Sequence, residues 1–388
     1  MDPASDQPTS QPTSQPSPRP SARQQGTRPP GPIDLTRYEI EPSWAGFQTF
    51  SKMQVCLTPE DLRAGEIDVA ICGAPWDGTA ISRSGTHLGP QAIRSCDYHP
   101  VPPRARPHLH VGVDPFEHLN MCDYGDANII IGDVERTFAN IRSFVSEIVQ
   151  TGAIPIVLGG DHGVTWPNVT AIADHVGYGN IGVVHFDAHA DTAPEVQGVL
   201  ASHGTPMRRL IESGAVKGKN FIQVGLRGYW PGPDVLTWMK EHEMRTHFMA
   251  EVEAKGFEKV LDDAVSEALD GPEFLFLSID IDVADPAYAP GTGSPEPGGL
   301  TSRELLHAVR RLSAEVGIAG MDVVEVSPPY DSGNNITCML AHRAVMEALT
   351  GTAMRRIGLT SRDYLDPRAA GGPLVDGIIE YPPGTYTG

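Results

Sequence analysis

The chain has 388 residues, 40% of them hydrophobic, and a formal net charge of −20. Its length admits one large core or two domains, no apolar run reaches membrane-spanning length, and the acidic balance argues against nucleic acid, whose phosphates need basic patches. Five cysteines with no CxxC pair argue against a disulfide framework and fit a reducing cytoplasm.

The first 33 residues are low in complexity, with a tandem QPTS and almost no large apolar side chain. Such a segment cannot bury enough surface to offset its ordering entropy, so residues 1–33 are predicted to be a disordered leader. It also lacks the apolar stretch of a secretory signal. From residue 34 onward strand-like runs alternate with helical patterns. Strands are predicted at 67–73, 154–160, 181–187, 221–225, 274–280 and 318–325. Between the first two, Val134, Phe138, Ile141, Val145 and Ile148 recur at helical spacing, and Gly152 stops the helix. Further helices are predicted at 164–175, 206–213, 233–243, 253–269, 302–316 and 335–349. Repeated alternation of this kind predicts an α/β fold, a parallel sheet covered by helices. No second break in composition appears, so residues 34–388 read as a single domain.

Polar clusters follow four of the predicted strands. GGDHG (159–163) follows the second, DAHAD (187–191) the third and DID (280–282) the fifth, while Glu325 ends the last. Open α/β sheets place their sites at these carboxyl ends. In DAHAD, Asp187, His189 and Asp191 alternate and can share one side of an extended chain. Alone, that motif suits a solvated turn equally well; four clusters at one edge point to a metal site. His162, Asp187, His189, Asp191, Asp280 and Asp282 offer two imidazoles and four carboxylates without a thiolate. That mixture suits two divalent first-row ions, Mn2+ first, rather than structural zinc. Two such ions can acidify a shared water, which implies hydrolysis. His185 lies within a strand and reads as a hydrogen-bonded core residue, and Asp161 as a residue that orients its loop.

With these motifs in place the chain resembles the ureohydrolase family of arginases and agmatinases, from about residue 34 to about residue 363. GGDHG, HFDAHAD, SHGTP, SIDIDVADPAYAPGTGSPEPGGL and DVVEVSPPYD stand in the family's order, and RSGTHLGPQAIR (83–94) resembles its N-terminal Gly-Pro loop and helix. The resemblance implies a three-layer α/β/α sandwich around a mainly parallel sheet, assembled as a homotrimer or homohexamer. It implies one metal on His162, Asp187, Asp191 and Asp280, and another on Asp187, His189, Asp280 and Asp282. A bridging hydroxide would attack the guanidinium carbon, with Asp191 accepting its hydrogen bond. Glu325 matches the guanidinium-binding glutamate, a planar anion suited to a forked cation. Ser294 stands where the family has a threonine and keeps the hydroxyl for a substrate hydrogen bond. His203 matches the proton-shuttle histidine, and a group titrating near neutrality suits a poor amine leaving group.

The implied substrate is a small cationic guanidino compound. Residues 192–202, TAPEVQGVLAS, lack the Asn-Thr-Pro and Ser-Gly-Asn features with which arginases read an α-amino acid head. Agmatine is therefore the first expectation, with a guanidino acid such as 4-guanidinobutyrate, or free guanidine, as alternatives, and Ni2+ as the alternative metal. Trp76 and Trp166 are expected on loops near the mouth, where they either shorten the pocket or simply pack. Glu195 is a candidate partner for a terminal ammonium. Two other readings compete: a catalytically silent scaffold or sensor, which would usually have lost ligands, and a single-zinc deacetylase of the same fold.

Overall fold

The computed structural model describes residues 28–38, 41–98, 107–109, 111–361 and 364. Most of the predicted leader, residues 1–27, lies outside them. The described residues from Gly31 onward form one compact unit. Ile33, assigned to the leader from sequence, exchanges both main-chain hydrogen bonds with Val55 at 2.8 Å.

Eight strands form one wholly parallel sheet: β1 (Val69–Ala74), β2 (Met121–Asp126), β3 (Ile154–Gly159), β4 (Ile181–Phe186), β5 (Phe221–Val224), β6 (Arg245–His247), β7 (Phe274–Asp280) and β8 (Gly320–Val324). They lie in the order β2-β1-β3-β8-β7-β4-β5-β6. Every residue of β1, β4, β5 and β8 is buried, as expected of parallel strands covered on both faces. That is why their sequences read as continuous apolar runs rather than alternating ones.

The α-helices among the described residues are α1 (Pro59–Ala64), α2 (Gly89–Ser95), α3 (Pro115–His118), α4 (Val134–Val149), α5 (Thr165–Val176), α6 (Pro206–Glu212), α7 (Pro233–Glu241), α8 (Met249–Lys255), α9 (Phe257–Ala268), α10 (Ser302–Glu315) and α11 (Ile336–Arg356). Alternate strand residues enter two separate cores. Leu275, Leu277 and Ile279 of β7 pack with apolar residues of α9, α10 and α11. Phe276, between them, joins the core built with α4, α5 and α6. The result is the expected three-layer sandwich.

Four details depart from the sequence reading. β2 was not predicted, because MCDYGD carries two aspartates; both pair with Arg94, Asp123 through a bidentate contact at 2.8 and 3.0 Å and Asp126 at 2.7 Å. β6, three residues long, carries no periodic signal. The single helix expected over 253–269 is two, α8 and α9, broken at Gly256 with φ +85°. α11 runs seven residues beyond the expected end at 349, to Arg356. The consequence for function is positional: β3, β8, β7 and β4 are consecutive in the sheet, so their carboxyl ends meet at its centre.

Candidate metal centre

His162 opens a short 3-10 turn directly after β3 and is fully buried. Its Nδ1 lies 3.1 Å from Asp187 Oδ2, 3.0 Å from Asp191 Oδ2 and 3.1 Å from Asp280 Oδ2. His189 Nδ1 lies 3.0 Å from Asp282 Oδ2 and 3.5 Å from Asp187 Oδ1. All six sequence-predicted ligands are thus brought together, in two groups whose ligand atoms lie within 4.8 Å of one another: His162, Asp187, Asp191 and Asp280, and Asp187, His189 and Asp282. Asp187 belongs to both. Asp280 falls in the first group alone, since its Oδ2 faces His162 and its Oδ1 accepts the Asp282 N–H at 2.9 Å.

Further hydrogen bonds fix these side chains. His162 Nε2 meets Ser278 Oγ at 3.0 Å, and Ser278 donates to Asp322 Oδ1 at 2.8 Å. Because the hydroxyl proton goes to the carboxylate, Ser278 accepts from Nε2–H, and the lone pair of the neutral ring is on Nδ1, aimed at the cluster. Asp322 also accepts from Thr165 Oγ1 at 2.8 Å and Asn168 Nδ2 at 3.1 Å. Strand register makes this relay possible, since β7 and β8 pair Ser278 with Asp322. His185 lies 2.9 Å from Asp187 Oδ2 through Nε2. Its Nδ1 accepts from Gln223 Nε2 at 3.2 Å, so in the neutral ring the proton is on Nε2 and faces the carboxylate. The contact is close but not well aligned, and His162, His185 and Asp187 also form a group of ligand-type atoms within 4.8 Å of one another.

The cluster fits a cation. His162 Nδ1 and Asp187 Oδ2 are buried and find no well-aligned hydrogen-bond partner, a state that buried polar atoms rarely keep. Burial would depress the His162 imidazole, but the carboxylates of Asp187, Asp191 and Asp280 hold it well above its usual range. Burial pushes the Asp280 carboxyl well up, and the charges of Asp282 and Asp187 add to it. Four carboxylates at one buried point need a counter-charge greater than two imidazoles supply. An all-oxygen-and-imidazole donor set suits hard divalent ions. Asp191 has φ +50° and Glu325 φ +61°, a left-handed backbone uncommon for non-glycine residues and concentrated at functional sites.

Beside the cluster, Glu325 follows β8 and its Oε1 accepts the His162 main-chain N–H at 2.9 Å. His203 Nδ1 lies 3.2 Å from the same oxygen. Burial would lower the His203 imidazole, but the hydrogen bond and charge of Glu325 raise it to about 9. The Ile81 N–H points at His203 Nε2 from 3.3 Å, a contact that favours the neutral ring. These two contacts oppose each other. Ile81 belongs to the loop between β1 and α2, tied down where Thr79 N and Oγ1 donate to Asp161 Oδ2 at 3.2 and 2.8 Å. Asp161 is buried, and burial with the nearby Glu325 charge pushes its carboxyl up to about 7. Ser294 is half-buried two residues after Thr292, which bridges Val326, the residue following Glu325.

One expectation is corrected, the loop position of Trp166, and the packing alternative holds for both tryptophans. Trp166 lies in the first turn of α5, not on a loop, and meets Phe138 edge-on at 6.1 Å. Trp76 is buried and also meets Phe138 edge-on, at 6.4 Å. Both rings pack against α4. Glu195 is exposed on the 194–200 loop. Sequence reasoning missed Ser278 and Asp322, whose signal is the sheet register, and Ile81, which acts through its main chain.

Residues 67–351 match the model of the arginase family. The chain is 36% identical over 315 residues to proclavaminate amidinohydrolase of Streptomyces clavuligerus, covering 80% of this chain and 94% of that one. The solved structure of that enzyme superposes with a TM-score of 0.71 over 81% of this chain and all of its own. Mitochondrial agmatinase of Gallus gallus is 36% identical over 75% of this chain and 83% of its own. The crystal structure of Trypanosoma cruzi formiminoglutamase with Mn2+2 is 26% identical, with a TM-score of 0.67 over 75% and 95% of the two chains.

Proposed function

The chain belongs to the arginase family of hydrolases acting on guanidino or amidine compounds, and we propose that it is a two-metal ureohydrolase cleaving a guanidino compound to urea and an amine, with agmatine the first substrate. The observation that carries this reading is the pair of ligand groups sharing Asp187, with Glu325 hydrogen-bonded to the loop of one of them. His162, Asp187, Asp191 and Asp280 would hold one ion, and Asp187, His189 and Asp282 the other. When bound, such a pair supplies Lewis acidity and a water made nucleophilic near neutral pH. Mn2+ is the first expectation and Ni2+ the second.

The chain's own residues do the rest. Glu325 Oε1 is occupied by the His162 N–H and faces His203, whereas no donor among the described residues reaches Oε2. Glu325 Oε2 takes an N–H edge of the guanidinium and fixes its carbon near the ligand clusters. Water adds to that carbon and the bond to the substituted nitrogen breaks. That nitrogen must gain a proton to leave, and His203 is placed to supply it. A cation on Glu325 offsets the charge that holds His203 protonated, so substrate binding itself readies the imidazole to release its proton.

The test is urea release by the Mn2+-loaded protein from agmatine, 4-guanidinobutyrate, guanidine and arginine. Urea is expected with equimolar amine, or with ammonia when guanidine is the substrate, and arginine should be the poorest of the four. Absence of urea from every compound, or ammonia formed without urea, contradicts the reading.

A further inference from the structure

The space beside Gly293 adjoins both Glu325 and a main-chain carbonyl. A Cβ built on Gly293 would lie 3.6 Å from Glu325 Oε2 and 3.3 Å from the Arg83 carbonyl oxygen, with no other atom of another segment within 4 Å. Two acceptor oxygens thus lie within contact distance of a position that the missing side chain leaves empty. Gly293 is buried, and the bridge between Thr292 and Val326 sets it beside Glu325. Its φ does not require glycine, so space, rather than backbone freedom, is what the residue supplies.

Resting on the ureohydrolase reading of the site, we propose that Gly293 and the Arg83 carbonyl complete the guanidinium subsite opposite Glu325. The chemistry of the gap selects for this. Glu325 Oε2 and the carbonyl both accept and neither donates, so together they suit a planar cation with N–H groups on more than one nitrogen. The carbonyl is not free to drift. Its loop is pinned by Thr79 on Asp161, by Ser82 Oγ on the Gly293 carbonyl at 3.4 Å, and by Gly85 N–H on Asp77 Oδ2 at 2.7 Å. The Arg83 guanidinium also lies over the Tyr330 ring, 5.6 Å from its centroid. Gly293 is thus a specificity-determining residue that works by leaving room.

The variant Gly293→Ala places a methyl at a tight 3.3 Å from the Arg83 carbonyl oxygen and an ordinary 3.6 Å from Glu325 Oε2; a shift of a few tenths of an ångström relieves the first contact, so it should fold and load metal as the wild type does. The expected result is a fall of at least about 30-fold in kcat/KM, mostly through KM, since the lost contact is one of binding. Metal content and thermal midpoint should be unchanged. A kcat/KM within threefold of wild type overturns the proposal. A second probe needs no variant: the wild-type substrate carrying one methyl on a terminal guanidino nitrogen brings the same group into the gap from the other side. Discrimination of at least about 30-fold against it is expected on the same ground, and turnover within threefold of the parent compound overturns the proposal. A wild type that releases no urea from any guanidino compound defeats the reading of the site itself; an active wild type with an equally active Gly293→Ala defeats only this inference.

Discussion

His162 donates its main-chain N–H to Glu325 Oε1 at 2.9 Å, across the ends of the adjacent strands β3 and β8. One hydrogen bond therefore ties the loop proposed to hold a metal to the carboxylate proposed to hold the substrate. His203 Nδ1 shares that oxygen at 3.2 Å, which places the proton donor in the same unit. Glu325→Gln preserves an oxygen for the N–H but removes the charge. Metal content should stay at the wild-type level while kcat/KM drops by about 100-fold or more, the scale of losing one preorganised electrostatic contact. An unchanged rate would release Glu325 from its role.

The same variant changes a titration. Glu325 raises His203 to about 9, above the ~6.5 of an unperturbed histidine. The pair's contribution to stability is therefore complete below about 6.5 and fades as pH rises through about 9. In Glu325→Gln, the His203 titration followed by NMR in the metal-loaded protein should move down. A midpoint that stays put would mean that Glu325 does not hold the proton there.

His189→Ala should remove one of two ions. Its Nδ1 is the sole imidazole of the second ligand group, next to Asp282 at 3.0 Å. Elemental analysis is expected to give about one ion per chain instead of two, with turnover abolished. Two tightly held ions in the variant would remove His189 from the ligand set.

Ser278→Ala breaks the relay from Asp322 to the His162 ring without touching a proposed ligand. Metal affinity should fall by about 10- to 100-fold, as is usual when a ligand loses its orienting partner. Asp322→Ala leaves Thr165 Oγ1 and Asn168 Nδ2 short of a buried acceptor. That should cost a further ~1–3 kcal/mol of folding stability. Metal titration and urea unfolding measure the two effects separately.

Gly256→Ala tests a feature of the fold away from the site. Gly256 separates α8 from α9 with φ +85° and ψ 143°, a backbone region nearly closed to other residues. The substitution should destabilise the protein by about 1–3 kcal/mol and leave metal binding unchanged.

Much of this was legible because a buried parallel strand and a strand-end site each leave local marks. Six strands read as apolar runs, and the candidate ligands stand where those runs stop. β2 escaped because Asp123 and Asp126 pair with the buried Arg94, a partner 29 and 32 residues away. The break at Gly256 was hidden by helical patterning on both sides. Within the site, what stayed hidden was carried by long-range register, as in Ser278 beside Asp322, or by main-chain atoms, as in the Ile81 N–H and the Arg83 carbonyl. Neither leaves a side-chain pattern to read.

The most direct test of the central claim is the anomalous scattering of crystals grown with Mn2+. Two peaks per chain are expected, one within coordination distance of His162, Asp187, Asp191 and Asp280, the other of His189, Asp187 and Asp282. A single peak, or peaks away from these six side chains at saturating Mn2+, would contradict it.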